Sequence, residues 1–193
     1  VKFSSDFTFD FDRSNGITAG AFDFVGVAIH EIGHALGFLS GVDALDNNPL
    51  ASEDALTRVT PLDFTRFSED SQAAGADLDW TADARPKYFS IDGGPTMIRA
   101  DAWSTGVTFG DGRQASHWKD GFSLGIMDPT VASGELLQNS NLDLQAFDVI
   151  GYDLAAVPEP TSLAMLGCVL GGLAVRYRRR WLTMRAGLPT TVE

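Results

Sequence analysis

Cysteine and histidine are scarce in this chain of 193 residues, which holds one cysteine, Cys168, and three histidines. A single thiol excludes an intrachain disulfide, and its place near the C-terminus leaves no thiolate for a metal site in the preceding body. Bases are scarce too: Lys and Arg number 14 against 26 Asp and Glu, for a net charge of −12. The imbalance is uneven, since nine bases face 24 acids up to Ala156, whereas five arginines face two acids from Val157 onward. A body that acidic excludes nucleic acid as a partner, because phosphate binding needs clustered Lys and Arg. No apolar run has the length of about 20 residues that a spanning helix requires. A charged-then-apolar leader is also missing, and the chain opens on Val1, which reads as a fragment or a processed form. At 44% hydrophobic and 21% charged residues, the body has the composition of one globular domain.

The few histidines sit in informative places. His30-Glu31-Ile32-Gly33-His34 is an H-E-x-x-H pattern, and residues four apart on a helix share a face, so both imidazoles can reach one metal ion. Glu31 then stands beside the metal's open position. There it can take a proton from water that the cation has acidified and pass it to a departing amine. That is the chemistry of peptide-bond hydrolysis. A catalytic zinc needs three protein ligands, and His117 in Ala115-Ser116-His117-Trp118 is the remaining histidine. Asp43 and Glu53 stay open as carboxylate alternatives for that third position.

The surrounding pattern predicts α+β architecture. Phe7, Phe9 and Phe11 alternate with polar neighbours over residues 1–12, the period of a half-buried strand, and Asn15-Gly16 breaks it. Asp23 is the expected N-cap of a helix through Val25, Ala28, Ile29, Ile32 and Leu36 that ends near Gly41. Gly33 and Gly37 each weaken that helix by up to about 1 kcal/mol, which predicts a close neighbour there. Residues 42–110 read as loops with short strands or turns. Glycines crowd the approach to His117, which places it on a loop. Gly125-Ile126-Met127-Asp128-Pro129 reads as a turn, followed by a helix capped at Asn141, carrying Leu142, Leu144, Phe147 and Ile150, and stopped by Gly151.

Two resemblances follow from these motifs. His30-Glu31-Ile32-Gly33-His34-Ala35-Leu36-Gly37-Phe38 resembles the active-site helix of metzincin zinc peptidases, whose usual third histidine would fall at Ser40. Ala115-Ser116-His117-Trp118 with Met127 ten residues on looks like the leishmanolysin family, in which a long insert separates helix and third ligand. That resemblance covers roughly residues 22–41 and 115–130. It implies a metzincin-like domain with an active-site helix, a loop-rich middle, a Met-turn at Met127 beneath the metal and a C-terminal helix. It also implies one catalytic zinc on His30, His34 and His117, Glu31 as general base, and a protein or peptide substrate.

The tail resembles a PEP-CTERM sorting signal of Gram-negative bacteria: Pro158-Glu159-Pro160, thirteen uncharged residues from Leu163 to Val175, then Arg176, Arg178, Arg179 and Arg180. Such a signal implies export to the cell envelope or beyond, exosortase-type sorting machinery as a partner, and a transient inner-membrane anchor. The stretch Trp181 to Glu193 continues past the point where such signals end. The expected organisation is a peptidase domain at 1–156, a sorting and membrane segment at 157–180 and a short tail at 181–193.

Other candidates have plain readings. Tyr88 and Tyr152 could stabilise an oxyanion, but a buried tyrosine commonly satisfies its hydroxyl on the backbone. Asp92 and Asp111 beside glycines, with Asp101 between them, invite structural calcium, although Asp-Gly is foremost a turn signal. A zinc amidase of the deformylase kind needs a cysteine ligand that the body lacks. The rival from another class is an inactive metal-binding protein of the cell surface or matrix.

Overall fold

The computed structural model describes residues 2–48, 58–75 and 77–153. Contacts divide the chain into two units, Val1–Leu154 and Ala155–Glu193. The second unit, which includes the apolar segment and Cys168, lies outside the described residues, as does Glu53.

Among the described residues, short strands and four helices make a small mixed architecture. Strand β1 (Phe9–Asp10) pairs in parallel with β2 (Phe22–Asp23), with Phe9 opposite Phe22. The phenylalanine alternation therefore yields a strand of two residues. Asp10 and Asp12 explain the difference, because their carboxylates accept hydrogen bonds from the backbone N–H groups of Asp12, Ser14 and Thr18 and so compete with the ladder. Phe7 and Phe11 stay exposed and pack on other rings, Phe7 on Phe22 and Phe11 on Phe24.

Helix α1 (Phe24–Ala35) starts where Asp23 caps it, the buried carboxylate accepting from Gly26 N–H at 2.9 Å. Its second oxygen accepts from Leu137 N–H at 3.1 Å and pairs with Arg13 at 3.1 Å. The helix stops short of the expected Gly41. Gly37 adopts φ +108°, Gly37 N–H bonds to His34 O and Phe38 N–H to Gly33 O, the paired closure of a helix end that turns through a left-handed glycine.

The middle is loop-rich, as the composition predicts, with two short helices added. Helix α2 (Val42–Asp46) is followed by a 3-10 turn at Pro61–Thr65, strand β3 (Arg66–Phe67), helix α3 (Glu69–Ala73) and strand β4 (Tyr88–Phe89), antiparallel to β3. Helix α4 (Asn141–Ile150) ends at Gly151, φ +114°, as predicted. Its N-cap is Ser140 rather than Asn141, because Ser140 Oγ accepts from Asp143 N–H while Asp143 Oδ2 accepts from Ser140 N–H, a reciprocal box that Asn141 is one residue too late to make.

The core lies under the C-terminal half of α1. Trp103 and Trp118 pack with ring centroids 4.3 Å apart and planes tilted by 33°, and Phe38 and Phe89 pack edge-on against Trp118. Ile126, Met127 and Ala146 complete the floor.

Candidate metal centre

Three imidazoles from two distant segments converge. His30 and His34 project from one face of α1, and His117 comes from the return arm of a bridged hairpin in which Trp103 opposes Trp118 and Gly106 opposes Arg113. The Nε2 atoms stand 3.1 Å apart for His30 and His34, 3.1 Å for His34 and His117, and 3.3 Å for His30 and His117.

Their outer nitrogens fix the tautomer. His30 Nδ1 donates to Ile126 O at 2.8 Å, His34 Nδ1 to Phe38 O at 2.8 Å and His117 Nδ1 to Gln114 O at 3.3 Å. A carbonyl oxygen can only accept, so each proton belongs on Nδ1 and each Nε2 presents a lone pair to the same point. Protonation does not relieve this meeting of three acceptors. Burial lowers the pKa of His30, and burial together with the charges of His34 and His30 brings His117 down to about 4. Neutral imidazoles with lone pairs converging and outer N–H groups held by carbonyls are the arrangement that binds a metal ion. Among the described residues this is the group of three potential ligands that the fold assembles.

The backbone around the triad is tied in three ways. Met127 is fully buried, and a Cβ on Gly33 would stand 2.5 Å from its sulfur, so α1 carries glycine where the methionine packs beneath the histidines. Trp118 N–H bonds to Met127 O at 3.1 Å, joining the arm that carries His117 to that turn. Asp143, buried in the first turn of α4, accepts from Trp118 Nε1 at 2.8 Å, Ile126 N–H at 2.9 Å and Met127 N–H at 3.3 Å. Asp143 thus holds both the arm bearing His117 and the carbonyl that orients His30. The sequence reading missed it, although Ser140-x-x-Asp143 before an apolar run is a capping-box signature that marks its position.

Asp43 is not brought to the triad. Its carboxylate accepts from Ala115 N–H at 2.6 Å, Ser116 N–H at 3.2 Å and the Ser116 hydroxyl, so it clamps the loop two residues before His117. Arg66, fully buried and 5.1 Å over the Trp103 ring, donates to Ala115 O and Ser104 O on the two arms of the same hairpin. Tyr88 donates its hydroxyl to Gly94 O and Tyr152 to Leu36 O. Asp92 accepts from Thr96 N–H and Ser90 Oγ, and hydrogen bonds led by Thr96 lower it to about 2. Asp111 accepts from Thr105 N–H and pairs with Lys119, and Asp101 sits at φ +45°. Asp92, Asp101 and Asp111 form no joint ligand group. Glu31, half-buried, lines a pocket beside His30.

Residues 156–180 match the PEP-CTERM protein-sorting motif, beginning one residue before the segment predicted at 157–180. The motif marks an exported protein of a bacterial cell envelope, recognised by exosortase-type sorting machinery. No curated protein and no solved structure matches the chain. Among the described residues no helix is long and apolar enough to cross a membrane.

Proposed function

We propose that this protein is an exported zinc-dependent endopeptidase with a metzincin-like fold of the α+β class, its ion held by His30, His34 and His117. The observation that carries the reading is the convergence of three Nε2 lone pairs. Nitrogens about 2.0–2.1 Å from a tetrahedral zinc stand about 3.3 Å from one another, and the spacings here are 3.1, 3.1 and 3.3 Å. Three neutral imidazoles without a thiolate also match the donor set of a catalytic site, which keeps a fourth position open. Bound there, zinc supplies a Lewis acid that polarises the scissile carbonyl and acidifies water.

This chain's own residues do the rest. Glu31, next to His30 in sequence and on the wall of the adjoining pocket, takes the proton from the attacking water and returns it to the leaving amine. The carbonyls of Ile126, Phe38 and Gln114 hold the imidazoles in the ligating tautomer. Met127 and the two tryptophans exclude water from below. The sorting motif delivers this site to the envelope, where peptide bonds of other proteins are within reach; the apolar stretch from Leu163 to Val175 supplies a transient membrane anchor in this reading.

Glu31→Gln tests the proposal. Removing the base lowers kcat by about 100-fold or more, while zinc content, set by the histidines, is retained. If Glu31→Gln keeps full peptidase activity, or if the zinc-loaded wild-type chain cleaves nothing in a broad peptide library, the protein is a metal-binding surface protein instead.

A further inference from the structure

Beside the triad the surface sinks into a pocket of about 150 Å³ that shares His30 and Glu31 with the metal centre. Val27, Pro129, Val131 and Leu137 give it apolar walls. Its charged lining consists of two carboxylates, Glu31 and Asp128, with no amine or guanidinium among the lining residues. Asp128 Oδ2 accepts from Leu124 N–H at 3.0 Å, whereas Oδ1 is buried without a hydrogen-bond partner. Burial, reinforced by Asp143 and Asp120 as the charged neighbours, raises this carboxyl to about 7. The wall therefore holds an acid that no cation among the described residues pairs with.

We propose that this pocket receives a lysine or arginine side chain flanking the scissile bond of the substrate, and that Asp128 selects it. The inference rests on the peptidase reading. A long aliphatic stem covers the apolar walls of Val27, Val131 and Leu137 while its charged head reaches the carboxylate, the division of labour that Lys and Arg side chains allow. Opposite charge in a partly desolvated cleft is worth more than in water, so a bound cation favours the ionised form of Asp128, whereas a glutamate side chain there would meet Glu31 and a carboxyl that another anion keeps protonated. The acidic body adds a field that draws cationic peptides toward the cleft.

The test uses the full zinc-loaded chain and quenched fluorescent peptides that differ only at the residues flanking the scissile bond, which are Arg, Lys, Leu or Glu. Arg and Lys peptides are cleaved with kcat/KM about tenfold above Leu and further above Glu. Asp128→Asn, whose amide oxygen can still accept from Leu124 N–H, brings the Arg-to-Leu ratio toward one with zinc content unchanged. In parallel, anisotropy measures binding of the same peptides to Glu31→Gln protein, with and without Asp128→Asn, so selection is read without turnover. Cleavage with no preference for Arg or Lys, or a preference that survives Asp128→Asn, overturns the selector and leaves the peptidase reading standing. Cation-selective binding lost in Asp128→Asn, with no peptide cleaved, keeps the pocket assignment and sinks the peptidase reading. Selectivity in neither assay overturns the inference.

Discussion

Gly33 faces the sulfur of Met127 across a gap in which a Cβ would stand 2.5 Å from Sδ and 3.3 Å from Phe147 Cζ. The helix gives up part of its intrinsic stability there so that a buried methionine can fill the space under the histidines. Gly33→Ala forces that side chain aside, and overpacking of this kind costs about 1–3 kcal/mol. The expected outcome is a lower melting temperature with weaker zinc binding, because the displaced turn also carries the Ile126 carbonyl that orients His30. Chemical denaturation and competitive zinc titration measure the two effects; an unchanged midpoint and zinc affinity would contradict the packing account. Residues at this scale differ in how legible they are. His30, Glu31 and His34 are readable because their spacing is local and helical. Asp43 stays open in the sequence as an alternative third ligand until the fold shows its oxygens committed to Ala115 and Ser116. Asp143 acts 16 to 25 residues away from the groups it ties, a distance at which one sequence carries no pairing signal.

Helices α1 and α4 were legible as elements because each carries an apolar period and an end signal. Their boundaries depend on hydrogen bonds that shift by a few residues. Helix α1 ends at a left-handed Gly37 instead of running to Gly41, and α4 begins at a Ser140 cap instead of Asn141. The N-terminal strand is shorter than its alternation predicts because aspartate side chains satisfy the backbone locally. Short helices α2 and α3 have too few residues to show a period. The cap of α4 matters beyond its own helix, since Asp143 bonds to Ser140 N–H and to the Met127 turn at once. Ser140→Ala removes the acceptor of Asp143 N–H and destabilises the protein by about 1 kcal/mol. Urea unfolding reads that loss, and Ser140→Thr restores most of it; a loss of the same size in both variants would show that the hydroxyl is not the cap.

At the scale of the whole chain, the acidic body and the basic tail are separate units, with every residue of the triad and every carbonyl that orients it inside Val1–Leu154. The tail was legible by its resemblance to a known sorting signal, since Pro158-Glu159-Pro160, an uncharged stretch and four arginines follow in order, and residues 156–180 match that motif. Deleting residues 156–193 is expected to abolish retention at the envelope and leave zinc affinity within about twofold, because the three histidines and the carbonyls that orient them all belong to the first unit. Fractionation and zinc titration of the deletion variant check both halves, and loss of zinc binding would show that the units are not independent. The central claim is the distant third ligand, and metal analysis of the purified chain tests it most directly, with wild type and His117→Ala measured in parallel. The account predicts one equivalent of zinc in wild type and its loss or strong weakening in His117→Ala. Zinc absent from the wild type, or held equally well by His117→Ala, would contradict it.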